Sequence, residues 1–414
     1  MSYAGKILML AECEFLTDYR ILPEARLLTQ NNYKVSVISL GGDNYRFHEI
    51  NDGITIYRIP QITLFNKGLK DPENKLFKHL SLIKKTIGYL VEYIYFTAGC
   101  LFLSLIVLIK EGFDIIHAHN PPDTLFIVGA LYRIFGKKFV FDQHDLSPEL
   151  YLSRFDAQDG LIYRTLALIE KMTCRTANII IATNESYKKI NMERNKVKAK
   201  DMFVVRNGPD LKRIRLTSPD PKLKGMNKKI LAYAGEMNPQ DGLDYFLRAL
   251  KHLVYDLKRD DFYTILMGSG DSLPDLKNMT SDLEINKYVC FTGYIPQEDT
   301  FTYLSASDIC VEPAPLNPLN DVSTFVKVME YMAFEKPIVC FDLKETRISA
   351  QDAAIYVPPN SEMGFAQAIL QLMDDAKLRD EMGKIGRKIV EERLSWQHTS
   401  KNLLRAYETL TKTL

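Results

Sequence analysis

Short, unbroken apolar runs alternate along this chain with longer segments whose apolar residues recur every three or four positions. The runs fall into two blocks. In the first, strands are predicted at 6–11 (KILMLA), 34–40 (KVSVISL), 54–59 (ITIYRI), 113–118 (FDIIHA), 138–142 (KFVFD), 178–182 (NIIIA) and 202–205 (MFVV). In the second they are predicted at 229–234 (KILAYA), 262–267 (FYTILM), 288–292 (YVCFT), 308–311 (DICV), 336–341 (KPIVCF) and 354–357 (AIYV). Continuous apolar character, rather than strict alternation, predicts strands buried on both faces, as in parallel sheets covered by helices. Between the blocks, 206–228 (RNGPDLKRIRLTSPDPKLKGMNK) is rich in Pro, Gly, Lys and Asp and reads as a linker. The domains expected are therefore 1–205 and 229–395, both α/β and doubly wound. Trp396, Leu403, Leu404, Tyr407, Leu410 and Leu414 give the last stretch, 396–414, the pattern of an amphipathic helix.

Length and composition narrow the picture. A chain of 414 residues can build two or three full cores. A net charge of +1 lacks the basic excess of bulk nucleic-acid binding, so no nucleic-acid partner is expected. Six cysteines occur without a CxxC pair; Cys290, Cys310 and Cys340 lie in apolar runs and read as reduced, buried thiols. The opening MSYAGKILMLAE reads as a strand and lacks the long apolar region of a secretory signal, so a cytoplasmic setting is expected.

On parallel sheets, ligands bind beyond the C-terminal strand ends. Ionisable residues crowd two of those ends. HAHNPPD (117–123) supplies His117, His119, Asn120 and Asp123, and QHDLSPELY (143–151) supplies His144, Asp145 and Glu149. Ser147 and Pro148 suit a helix start. His117 lies within its strand and reads as structural. His144, at a strand end beside carboxylates, reads as functional, and His144 and Asp145 are the candidate catalytic residues. The spacing is not that of a usual zinc set, and no metal is expected. In the second block, Gly235 in YAGEMNPQDG and Gly268 and Gly270 in LMGSGD close strands; such glycines let backbone amides approach a phosphate.

Residues 321–339 (DVSTFVKVMEYMAFEKPIV) predict a helix, capped by Ser323 or Thr324, followed by a strand. Lys327 and Glu330 stand three apart and share a helical face. A surface ion pair is one reading; a site for an anion and a diol is the other.

Between the early strands, 67–85 holds six lysines (67, 70, 75, 78, 84 and 85), and Leu76, Leu80, Ile83 and Ile87 form a helical stripe. Residues 67–87 read either as a helix on the sheet or as a basic edge on anionic lipid. The uncharged 93–109 (YIYFTAGCLFLSLIVLI) is at the short end for a membrane span and would split the domain, so a core helix is expected.

HAHNPPD, FDQHDLSPELY, RNGPD, YAGEMNPQDGLDYFLRAL and NDVSTFVKVMEYMAFEKPIVCFDLKETRISAQDAAIYVPP together resemble the retaining glycosyltransferases of family 4. The last segment looks most like bacterial enzymes of exopolysaccharide and O-antigen assembly. The resemblance implies a GT-B fold, two Rossmann-like domains facing a cleft. The first domain would bind the acceptor, the second a nucleotide-diphosphate sugar, and helix 396–414 would pack back on the first. Glu330 would accept hydrogen bonds from the ribose hydroxyls and Lys327 would neutralise the diphosphate. His144 would orient the sugar or stabilise the reacting centre. The helix start near Ser323 and Thr324 would favour an anion. Transfer would be retaining, by front-face attack, with neither cofactor nor obligatory metal. The acceptor would be a saccharide, polyprenyl-linked given the basic edge, and the enzyme peripheral on the inner membrane's cytoplasmic face. The family's first motif glutamate falls at Val322, with Asp321 the nearest acid. Its usual Arg and Lys read Glu236 and Asp241, leaving Lys327, Arg206 (beside Asn207) or Arg347 to compensate. A sugar-nucleotide 2-epimerase and an inactive assembly scaffold are the alternative functions.

Overall fold

The computed structural model describes residues 3–42, 45–62, 75–155, 159–214, 223 and 225–411, with side chains from 86 onward in the helix that begins at Lys75. The chain divides into two compact units, Met1–Arg206 with Ser400–Leu414, and Asn207–Thr399.

The first unit is built on strands β1 (Gly5–Glu14), β2 (Tyr33–Gly41), β3 (His48–Asn51), β4 (Ile54–Pro60), β5 (Ile115–Asn120), β6 (Lys138–Gln143), β7 (Ile179–Ala182) and β8 (Met202–Val204). Their order is β3-β4-β2-β1-β5-β6-β7-β8. Every pairing is parallel except β3–β4. The apolar runs do not predict β3. It is a short edge hairpin turned by Asp52 (φ 50°) and Gly53 (φ 79°), two positive-φ positions that match the strand twist.

The second unit carries β9 (Lys229–Ala234), β10 (Phe262–Met267), β11 (Val289–Gly293), β12 (Ile309–Glu312), β13 (Ile338–Phe341) and β14 (Ala354–Val357). Their order, β11-β10-β9-β12-β13-β14, is that of a doubly wound dinucleotide-binding sheet. One face packs Phe246, Leu250, Phe365 and Ile369 from two helices; the other packs Met329, Met332, Val390 and Leu394. Both faces are dry, which is why the strands read as unbroken apolar runs. Ile214 and Leu223, from the predicted linker, are buried in this second core.

Helix Lys75–Lys110 packs on β1, β2 and β4 and buries Phe96, Cys100, Leu103 and Val107. Ile87, Val91, Ile94, Phe102, Leu105 and Ile109 form the opposite stripe and are exposed. The core reading of 93–109 thus holds for one face only. By length and composition Thr86–Lys110 could cross a membrane. Lys67 and Lys70 of the predicted basic edge lie outside the described residues, as do the side chains of Lys75, Lys78, Lys84 and Lys85. The final helix, Trp396–Thr411, buries Leu403, Tyr407 and Leu410. Its Tyr407 ring meets Tyr33 edge-on at 5.3 Å, and Asn402 donates to the Val204 carbonyl at 2.9 Å. Leu414 of that predicted stripe lies outside the described residues.

Candidate functional site

Each sheet reverses its winding beside its central strands, β1/β5 and β9/β12, and the strand ends there open the crevice in which doubly wound folds bind ligands. The predicted residues gather at these two places.

In the first unit, alternation along β5 sets His117 and His119 on one face, and the parallel register puts Asp142 of β6 opposite His119. Helix Ile21–Gln30 lays Glu24 over them. The His119 Nδ1 is 3.0 Å from the Asp142 carboxylate, and His144 Nε2 is 3.3 Å from it. His119 and His144 rings stack, with Nδ1 and Nε2 3.1 Å apart. His117 accepts or donates at Nδ1 to the Tyr407 hydroxyl at 2.9 Å. Glu24, His117, His119 and Asp142 are each at most 1% exposed, whereas His144 reaches 8% at the rim. Burial and the neighbouring His117 push His119 down to about 3. Burial alone would raise Asp142, but the three rings hold it well below the carboxylate range. Burial, with the Asp142 charge, raises Glu24.

Asn120 serves as a staple. Its amide donates to Asp123 and to the Asp145 carbonyl, both at 2.8 Å, and its oxygen accepts from the His144 and Asp145 backbone at 2.7 and 3.2 Å. It thereby fixes the loop carrying His144. Asp123 is buried, and desolvation together with Glu170 raises it to about 7. Asp145 is half-buried and close enough to Arg20 to act on its charge. Arg20 is gripped by both Asp18 oxygens, at 3.3 and 2.8 Å.

In the second unit, Lys327 does not pair with Glu330. Its Nζ sits 2.9 Å from the Tyr233 hydroxyl, 3.1 Å from Asp241 and 3.3 Å from Glu312, over the Tyr233 ring. Burial alone would lower Lys327; Glu312, Tyr233 and Asp241 outweigh it and raise it well above the usual ammonium. Burial takes Glu312 up to about 7 against the pull of Lys327. Glu330, one turn along helix Val326–Ala333, is half-buried, and its carboxyl has no hydrogen-bond or ion-pair partner among the described residues. Burial raises it to about 7, with Lys327 opposing.

The turn glycines pack backbone against backbone. A Cβ at Gly268 (φ 128°) would lie 1.9 Å from the Gly235 carbonyl oxygen, and one at Gly235 would lie 2.9 Å from Lys327 Cε. Gly270 is pressed in the same way on the Met237 backbone.

Several expected roles change. The cap position of helix Val326–Ala333 is Phe325, with no side-chain cap; Ser323 instead donates to the Leu319 carbonyl at 2.8 Å. Thr324 is half-buried in the same turn. Asp321 accepts from the Lys344 backbone at 2.9 Å and so holds the start of the following helix. Arg347 is bound to Asp342 at 2.7 Å and lies over Tyr356. Arg206 ends the first unit and Asn207 begins the second. Asp241, which stands where a family cation is expected, is the counter-ion of Lys327 and closes a capping box with Asn238. Glu24, Arg20 and Glu312 escape sequence reasoning, and Tyr407 is legible only as part of the final helix's apolar stripe.

A model of glycosyltransferase family 4 matches residues 21–213, and one of the glycosyl transferases group 1 matches residues 228–375. The chain is 22% identical to an uncharacterized glycosyltransferase of Methanocaldococcus jannaschii, over 92% of this chain and 91% of that one. It is 25% identical to a phosphatidyl-myo-inositol mannosyltransferase of Mycolicibacterium smegmatis, over 73% of each. Among solved structures it is similar to sucrose-phosphate synthase of Thermosynechococcus elongatus (TM-score 0.75, 18% identity, 99% and 100% covered). Anabaena HepE in complex with UDP and glucose is also similar (TM-score 0.70, 15% identity, 98% and 100% covered). With one family model matching most of the first unit and another most of the second, and strand-end sites on both, the chain belongs to glycosyltransferase family 4 and has the GT-B fold.

Proposed function

We propose that this glycosyltransferase moves a sugar from a nucleotide-diphosphate sugar to a lipid-linked saccharide acceptor in cell-surface polysaccharide synthesis, with retention of configuration. The second unit binds the donor and the first the acceptor. The carrying observation is Glu330: a half-buried carboxyl with no partner among the described residues, one turn from the paired cation Lys327. An ionised carboxylate of this kind accepts two hydroxyl donors, as a ribose diol offers. Lys327 supplies positive potential behind the diphosphate while staying paired with Glu312 and Asp241. Developing charge on the leaving phosphate is met by that potential and by backbone amides of the Gly235 turn, with no obligatory metal at the reacting atoms. His144, at the rim of its cluster, orients the reacting sugar.

Two further observations support the lipid-linked acceptor. The mycobacterial relative is by name a phosphatidyl-myo-inositol mannosyltransferase. Helix Lys75–Lys110 also shows a bare apolar stripe, Ile94, Phe102, Leu105 and Ile109, downstream of lysines 75, 78, 84 and 85. An apolar face with a basic flank suits an enzyme lying on the cytoplasmic side of an anionic membrane.

One observation favours an inactive scaffold instead: Lys327, the buried cation of the second unit's site, is already held by two carboxylates. A thermal-shift series with UDP, GDP and their sugars separates the readings. Stabilisation by a nucleotide is expected for the transferase, because a ligand of the native state raises Tm. No shift with any of them supports the scaffold. Release of a free epimerised nucleotide sugar without acceptor points to the 2-epimerase.

A further inference from the structure

The buried cluster of the first unit has a feature that neither the donor nor the acceptor reading uses. His119 Nε2 apart, three buried atoms here lack any hydrogen-bond partner among the described residues: Glu24 Oε2, His117 Nε2 and Asp142 Oδ2. They nevertheless converge. His117 Nε2 lies 3.9 Å from Glu24 Oε2 and 3.6 Å from Asp142 Oδ2, and His119 Nδ1 lies 3.0 Å from Asp142 Oδ2. The four residues offer one ligand atom each within 4.8 Å of one another.

Three orphaned polar atoms at one point are costly if nothing joins them, since buried donors and acceptors are almost always paired. Close approach without hydrogen-bond geometry is what donor atoms show when they point at a common centre. From this geometry we infer that Glu24, His117, His119 and Asp142 bind one divalent cation of the zinc class in the core of the first unit.

The chemistry fits on three counts. Two carboxylates balance a divalent charge while two neutral imidazoles complete an N₂O₂ set, and the ion pairs of Glu24 and Asp142 among the described residues are with histidines alone. Zinc bonds of about 2.0–2.2 Å put tetrahedral ligand atoms about 3.3 Å apart; His117 Nε2 and Asp142 Oδ2, at 3.6 Å, are already near that spacing, and the widest separation, 4.8 Å, closes by about 1.5 Å on binding. The remaining nitrogen of His117, Nδ1, meets the Tyr407 hydroxyl at 2.9 Å, an outer partner that fixes a ring with Nε2 free to ligate. His144 stays at the rim, its Nε2 3.1 Å from His119 Nδ1 and 3.3 Å from Asp142.

Such an ion is structural. It ties helix Ile21–Gln30 to β5 and β6 and, through Tyr407, to the final helix, and it lies behind His144 rather than among reacting atoms. The chain order hides it, because Glu24 comes from a helix far from the strand histidines.

The test is elemental analysis of the full chain purified without chelator. The inference expects about one zinc-class ion per chain, a Tm that falls after extraction with dipicolinate and returns on adding Zn²⁺, and visible d–d absorption of four-coordinate N/O character with Co²⁺. Glu24→Gln keeps the side-chain volume and should lower metal content at least roughly tenfold under the same dialysis, since losing even an outer hydrogen-bond partner of a ligand costs about 10–100-fold in affinity. If that variant does not fold, the wild-type metal content and Co²⁺ spectrum still decide. Metal-free protein whose Tm is unmoved by Zn²⁺ or Co²⁺ overturns the inference. So does metal content that Glu24→Gln leaves unchanged, since the ion then sits elsewhere.

Discussion

The two units use parallel sheets in related ways but dispose of charge differently. In the first, Asp142 is ringed by His117, His119 and His144, and only His144 reaches the rim. In the second, Lys327 is held between Glu312 and Asp241, yet Glu330, three residues on and likewise half-buried, has no partner among the described residues. Charges gathered deep in one unit hold a platform together; a carboxyl left without a partner nearer the surface is available to a donor's hydroxyls. The same contrast separates residues whose loss damages the fold from residues whose loss damages binding.

The largest effect is expected at the rim of the first cluster. His144→Ala should cut transfer by about 10²–10⁴-fold while leaving nucleotide affinity near wild type, the range seen when a positioned imidazole is removed from a reacting centre. Single-turnover rates beside a binding titration check this; wild-type turnover would make His144 structural.

Next comes Lys327. Lys327→Met leaves Glu312 and Asp241 facing each other without a cation, and breaking a buried pair in this way costs about 3–5 kcal/mol. The lower end is expected, because Glu312, already raised to about 7, can take up a proton. Denaturant unfolding measures it, and adding Glu312→Gln should recover part of the loss. Neither change moving stability would show the pair to be solvated.

A further effect belongs to the exposed apolar stripe and the lysines that precede it. Each basic residue near an anionic surface contributes about 1 kcal/mol, so reversing lysines 75, 78, 84 and 85 to Glu should release the protein from anionic vesicles, and salt should do the same. Phe102→Ser and Ile109→Ser, on the exposed stripe, should weaken binding further without lowering Tm. Co-sedimentation that ignores both sets removes the membrane from this account.

Much of the fold was legible because both sheets are covered on both faces. Their strands are continuous apolar runs too short for a helix of ordinary length, which leaves a strand buried on both sides. Strand β3 was not legible, since His48–Asn51 is a polar edge segment; its clue was the Asp52–Gly53 turn. Strand-end placement brought His119, Asn120, Asp123 and His144 together correctly as neighbours, because a parallel register carries adjacent strand ends side by side. It could not reveal that Asn120 is a staple or that Glu24 lies above the histidines, since those depend on helix packing. Spacing on one helix suggested that Lys327 and Glu330 act together. Yet the side chain of Lys327 turns to β12 and to the turn after β9, contacts remote in sequence. Helix 93–109 misled for a related reason: a segment apolar all round gives no hint of which face is left bare.

The central claim is that the Glu330 carboxylate receives the donor's ribose hydroxyls. Burial raises Glu330 to about 7, so near neutrality part of the protein holds it protonated. Its folded form binds protons more tightly than the unfolded chain, so its contribution to stability is present below the ordinary carboxylate range and lost as pH rises through about 7. Nucleotide binding has the opposite dependence. Only the ionised carboxylate accepts both hydroxyls, so affinity should rise as pH climbs through about 7, with a proton released on binding. The direct measurement is calorimetric titration of UDP and GDP about one pH unit either side of neutrality, with wild type, Glu330→Gln and Glu330→Ala. The account predicts pH-dependent wild-type affinity and a loss of about 1.5–3 kcal/mol in Glu330→Ala, with the pH dependence abolished in Glu330→Gln. Equal affinities in all three proteins, with no proton release, would contradict it.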